Sequence, residues 1–84
     1  MGKYEKLLAQ ILQGRSDTNI DFTDLCHLLP RMGFEERIRG SHHIFRKSGV
    51  EEKVNLQRDG NKAKPYQVRQ VRAVITRYGL EIEK

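Results

Sequence analysis

Three features of the 84-residue chain predict an α+β fold, a three-stranded antiparallel sheet with helices packed on one face, in the order α-α-β-β-β-α. Apolar residues first recur at helical spacing, over Tyr4, Leu7, Leu8, Ile11 and Leu12 and again over Phe22, Leu25, Cys26, Leu29 and Met32. From Phe34 to Arg58 the pattern changes to alternation punctuated by glycine turns, the mark of half-buried strands. A last helical stripe, Val68, Val71, Ile75 and Tyr78, follows Pro65, a residue suited to the first helical position. A chain of this length makes one domain, residues 1–84, near the size at which a single core is only marginally stabilising.

The first helix spans residues 3–13 and ends at Gly14, and Arg15 to Asn19 connect it to the next. Asp21 is the expected N-cap of the second helix, with Asp24 three residues on, and Gly33 closes it. Pro30 removes a backbone donor inside this helix and is expected to bend or tighten its last turn. In the first strand Phe34, Glu36 and Ile38 share a face expected to be half-buried, and Glu35, Arg37 and Arg39 share the other. Arg39-Gly40 turns the chain into a second strand, Ser41 to Lys47, in which His42, Ile44 and Arg46 oppose His43, Phe45 and Lys47. Phe45 is the costlier side chain to leave in water, so His43 turns toward the core and His42 faces solvent beside Arg46. Lys53 to Arg58 places Val54 and Leu56 inward and Asn55 and Gln57 outward, and Arg58-Asp59-Gly60-Asn61 is a turn. The last helix carries Arg69, Arg72 and Thr76 on its outer face, with Lys62 and Lys64 before its amino end, and stops at Gly79 with Leu80 folding back. Helices that bury their stripes on one sheet face leave the other face open to a ligand.

The net charge of +5 is unevenly placed: residues 1–30 hold three Lys/Arg against four Asp/Glu, and residues 31–84 hold thirteen against seven. A polyanion is the natural partner of the later segment. The absence of a membrane-length apolar run, of a signal-peptide pattern at the start and of a second cysteine leads to the expectation of a cytoplasmic protein without membrane contact. Cys26 lies on an apolar stripe and is expected to be a small core residue. No metal or cofactor is expected. The adjacent pairs Cys26-His27 and His42-His43 each diverge, and Glu51, Glu52, Asp59, Glu81 and Glu83 do not gather to hold magnesium.

Gly33-Phe34, the run Arg39-Gly40-Ser41-His42-His43-Ile44-Phe45-Arg46, a third strand, and Lys64-Pro65 opening a helix that ends at Tyr78-Gly79-Leu80 resemble the HicA family of toxins. These are small mRNA interferases of toxin-antitoxin pairs, with a fold similar to the double-stranded-RNA-binding domain. The resemblance covers roughly residues 21–80 and leaves residues 1–20 as an N-terminal helical extension. Where family members often carry a histidine or small residues in the turn before the last helix, this chain has Arg58-Asp59-Gly60-Asn61.

The resemblance implies that the histidine directly after Gly-Ser is catalytic, which is His42, the one that alternation places outside. It implies an endoribonuclease acting on mRNA, and because no carboxylates gather to hold magnesium, a metal-independent one is expected that needs only to deprotonate the substrate's 2′-hydroxyl, a task suited to an imidazole, whose ordinary pKa is about 6.5. Arg39, Ser41, Arg46, Lys62, Lys64 and Arg69 are the expected RNA-binding residues, and Gly40 and His43 the supporting ones. A cognate HicB-type antitoxin is the expected protein partner. Two rival readings stay open: a non-catalytic RNA-binding module of the same fold, which grips RNA by shape, and a purely protein-binding subunit.

Overall fold

Each predicted helix forms, and each ends where the residues that stop it stand. The structure, a computed structural model, describes residues 2–83. Helix α1, Lys3–Gln13, ends at Gly14, and a single 3-10 turn, Asp17–Asn19, leads to α2, Phe22–Arg31. The Asp21 carboxylate accepts the Asp24 N–H at 2.9 Å and caps α2. Pro30 acts as expected: the Met32 N–H reaches back three residues to the Leu29 carbonyl at 3.0 Å, so the helix tightens as it ends. Helix α3, Pro65–Tyr78, has proline at its first turn, and beyond Gly79 the Leu80 N–H bonds the Ile75 carbonyl at 3.0 Å.

Between α2 and α3 lie β1 (Glu35–Arg39), β2 (His42–Arg46) and β3 (Val54–Leu56), an antiparallel sheet in that order. Phe45, Val54 and Leu56 on its inner face meet the stripes of the helices, and Phe22, Leu25, Leu28, Leu29, Val68 and Val71 complete the centre of a single core. Leu7, Ile11 and Ile20, from the first twenty residues, are buried in the same core. Among the described residues no helix is long and apolar enough to cross a membrane.

Four details depart from the pattern in the sequence. All five residues of β1 are exposed, Ile38 to 59%. Helix α2 meets this edge strand without covering it, and the strand's core contribution is Phe34 just before it. Leu12, expected on the α1 stripe, is also exposed, because α1 buries a narrower band centred on Leu7 and Ile11. Arg72 does not point outward: its guanidinium grips both Asp17 carboxylate oxygens at 2.9 and 3.0 Å and the Ile11 carbonyl at 3.1 Å. Finally, the turn at Arg58–Asn61 is the tip of a two-stranded ribbon, β4 (Arg58–Asp59) with β5 (Lys62–Ala63). That ribbon is tied to the start of α2 by Ala63 N–H to Ile20 carbonyl at 2.9 Å and Phe22 N–H to Asn61 carbonyl at 3.0 Å.

Candidate active site

The turn between β1 and β2 decides which histidine faces out. Arg39 and His42 are directly paired, so the loop is two residues, Gly40-Ser41. Gly40 has φ of +59° and Ser41 has no positive φ, the combination of a type II′ hairpin that matches the twist of the flanking strands. A side chain at Gly40 would meet nothing within 4 Å, so glycine is required there for its backbone angle and not for space. With the register fixed, His42 is exposed on the open face and His43 is turned inward, as the size of Phe45 predicts. His43 stands edge-on to the Phe22 ring, centroids 5.0 Å apart, and its Nδ1 lies 2.8 Å from the Glu36 carboxylate.

His42 Nδ1 lies 3.2 Å from Asn55 Oδ1 on the neighbouring strand. With that oxygen as acceptor, Nδ1 carries the proton and Nε2 presents a lone pair to solvent. The residue before His42 is anchored too. Ser41 Oγ accepts a hydrogen bond from the Gln57 side chain at 3.2 Å, and the Gln57 N–H donates to Gln67 Oε1 at 3.2 Å. Gln67 is buried in the first turn of α3, which links the His42 turn to the amino end of that helix.

Cations crowd the same open face. Arg39 is opposite His42, Arg37 is opposite Ile44, and Arg46 is opposite Glu35. With Lys53 these three arginines and Ile44 line a depression of about 460 Å³, which Glu35, on the same face, and Glu36, paired with the inward Phe45, also border. Lys62 and Lys64 are half-buried at the amino end of α3, and Arg69 is exposed on that helix, near enough to Asp17 to favour its charged form. Among the described residues no hydrogen bond or ion pair joins these three to the sheet-face group. Two of the predicted phosphate-binding residues, Arg39 and Arg46, therefore share a face with His42 and are joined by Arg37, Lys53 and Asn55, which were not singled out. Strand alternation already placed Arg37 and Asn55 outward, but their role depends on the register between strands.

The family model described as "HicA toxin of bacterial toxin-antitoxin" matches residues 22–80. The chain belongs to the HicA toxin family. No curated protein and no solved structure gives a match. As a HicA-family chain it is the toxin member of a toxin-antitoxin pair, and a cognate antitoxin is its partner. The α+β arrangement is compatible with the double-stranded-RNA-binding-domain-like fold. The matched segment takes in α2, the sheet, the ribbon and α3, and leaves out α1 and the 3-10 turn, although both pack on α3.

Behind the sheet of this HicA-family toxin, Cys26 is buried, and desolvation, with Glu36 nearby, pushes its thiol up to about 12. Such a thiol keeps its proton at neutral pH unless a bound cation displaces it. Each of the adjacent pairs Cys26-His27 and His42-His43 diverges, yet one member of each meets Glu36: the ligand atoms of Cys26, Glu36 and His43 lie within 4.8 Å of one another.

Proposed function

We propose that this toxin is an endoribonuclease that cleaves mRNA in the cytoplasm, with His42 as its general acid-base group. The observation that carries the proposal is the pairing of His42 with Asn55 at 3.2 Å, which frees Nε2 on a face lined by Arg37, Arg39, Arg46 and Lys53. Nε2 takes the proton of a 2′-hydroxyl, the 2′-oxygen attacks the adjacent phosphorus, and the bond to the 5′-oxygen breaks. The imidazolium returns a proton to the leaving oxygen, so the products are a 2′,3′-cyclic phosphate and a 5′-hydroxyl. Arg39, paired across the turn, is the cation best placed to steady the phosphorane, and Arg46 holds a neighbouring phosphate. Lys62, Lys64 and Arg69 extend the RNA path past the positive amino end of α3. On the open face Arg37, Arg39, Arg46 and Lys53 outnumber the carboxylates of Glu35 and Glu36, a balance suited to holding phosphates, and this supports attack by the substrate's own hydroxyl.

An RNA carrying one 2′-deoxynucleotide at the cleavage site tests this. It should bind normally and stay intact at that site, and cleavage of the all-ribose RNA should persist in excess EDTA and leave a cyclic phosphate. Cleavage of the deoxy site at an equal rate, or activity lost in EDTA and restored by magnesium, would establish water as the nucleophile. The basic open face alone also fits an RNA-binding module without catalysis. RNA bound tightly but never cut by the wild-type chain would select that second reading.

A further inference from the structure

We propose that Cys26, Glu36 and His43 form a binding site for a divalent ion of the zinc class, on the inner side of the sheet behind the strand that carries His42. The three residues come from α2, β1 and β2, and only the fold brings them together. A thiol sulfur, a carboxylate oxygen and a ring nitrogen lie within 4.8 Å of one another. Around one tetrahedral zinc, with metal-ligand bonds of about 2.0–2.3 Å, such atoms sit roughly 3–4 Å apart, so each donor needs to shift by about 1 Å or less.

The donor set selects the ion. One thiolate and one imidazole favour zinc or cobalt over magnesium or calcium, and three protein ligands leave a fourth position for water. Binding releases the Cys26 thiol proton to solvent, and the resulting thiolate and the carboxylate together balance the charge of a divalent ion, so affinity should rise with pH. The Arg58 guanidinium, 4.9 Å from the Phe22 ring centroid, faces the same region and tempers the affinity. Part of the ordering is already present: Phe22 packs against the His43 ring, and Nδ1 and the carboxylate lie 2.8 Å apart in a hydrogen bond, which an ion bound through Nδ1 replaces as the ring proton moves to Nε2. Cys26 is 6% exposed, whereas the His43 and Glu36 side chains are 23% and 29% exposed, so an ion can enter past them and meet a shielded sulfur. Bound there, it would fasten the exposed edge strand β1 to α2 and to the strand of His42. The inference does not depend on RNA cleavage.

Cobalt(II) added to the reduced full-length chain is the direct probe. One equivalent should bind, with tetrahedral visible bands and a thiolate-to-cobalt charge-transfer band, be displaced by zinc but not by magnesium, and raise the thermal unfolding midpoint. Cys26→Ser should abolish the charge-transfer band, Glu36→Gln should keep that band with weaker binding, and His27→Ala should change neither. Because Glu36 is on the exposed strand, its variant keeps the test informative if Cys26→Ser does not fold. Absence of stoichiometric binding, cobalt bound without a thiolate band, or a band and affinity indifferent to Glu36→Gln would overturn the proposal.

Discussion

His42 and His43 differ in environment because a strand sends neighbouring side chains to opposite faces, and the consequence can be measured one substitution at a time. His42 touches only Asn55 among the described hydrogen-bond partners and is exposed, so His42→Ala should melt like the wild type and cleave RNA about 100-fold more slowly or worse. His43 packs on Phe22 and bonds Glu36, so His43→Ala should cost on the order of 1–3 kcal/mol of stability by urea unfolding, with activity retained in the folded fraction. Equal activity losses in the two variants at unchanged midpoints would refute this division of roles. Asn55→Ala separates orientation from chemistry: the imidazole remains, but nothing fixes its tautomer, and the turnover rate should fall less than in His42→Ala with little change in KM.

Helix α1 and the 3-10 turn lie outside the family match, yet they supply Leu7, Ile11 and Ile20 to the core and the carboxylate that Arg72 grips. Deleting residues 1–20 should therefore abolish cooperative unfolding, since truncating even one such buried side chain costs about 2–5 kcal/mol. A truncated chain that melts at the wild-type temperature would make the extension dispensable. The clamp also has a pH signature. Arg72 holds the Asp17 carboxyl below its ordinary range by hydrogen bonds and charge, so the folded chain prefers it ionised more strongly than the unfolded chain does. Its stabilisation is complete above the unfolded value of about 3.9 and disappears as pH falls through the lowered folded value. Arg72→Ala should be less stable than the wild type near neutral pH and lose stability less steeply in acid, as urea unfolding across pH 7 to about 3 would show. The clamp was not legible in the sequence, because helical periodicity locates the Arg72 Cα but not the end of a long side chain reaching across to another element. The ribbon β4–β5 and the exposure of Ile38 escaped for a related reason: they depend on which element lies over which. What was legible is what local chemistry determines, namely the Asp21 cap, the tightened turn at Pro30, and the outward His42 set by Gly40 and Phe45.

The excess charge of the later segment appears in three dimensions as an open sheet face on which Arg37, Arg39, Arg46 and Lys53 surround Ile44. On the function proposed above the cationic face is the reactive one, and it is most directly silenced by a partner that brings acidic groups to it and excludes RNA from His42. We propose that the cognate antitoxin, of the HicB type, does so. RNA and antitoxin then compete for the same cations, and Arg46→Glu should weaken both, whereas Lys64→Glu, at the amino end of α3, should weaken RNA alone. Each removed phosphate contact should also reduce the slope of log affinity against log salt by about 1. Expressed with the neighbouring gene product, the wild-type toxin should cease to arrest growth and should purify as a complex that no longer binds RNA. Growth arrest that persists while both proteins are made and soluble would rule out the pairing. A complex that still binds and cuts RNA would place the antitoxin on another face, and the exposed edge strand β1 would be the first place to look.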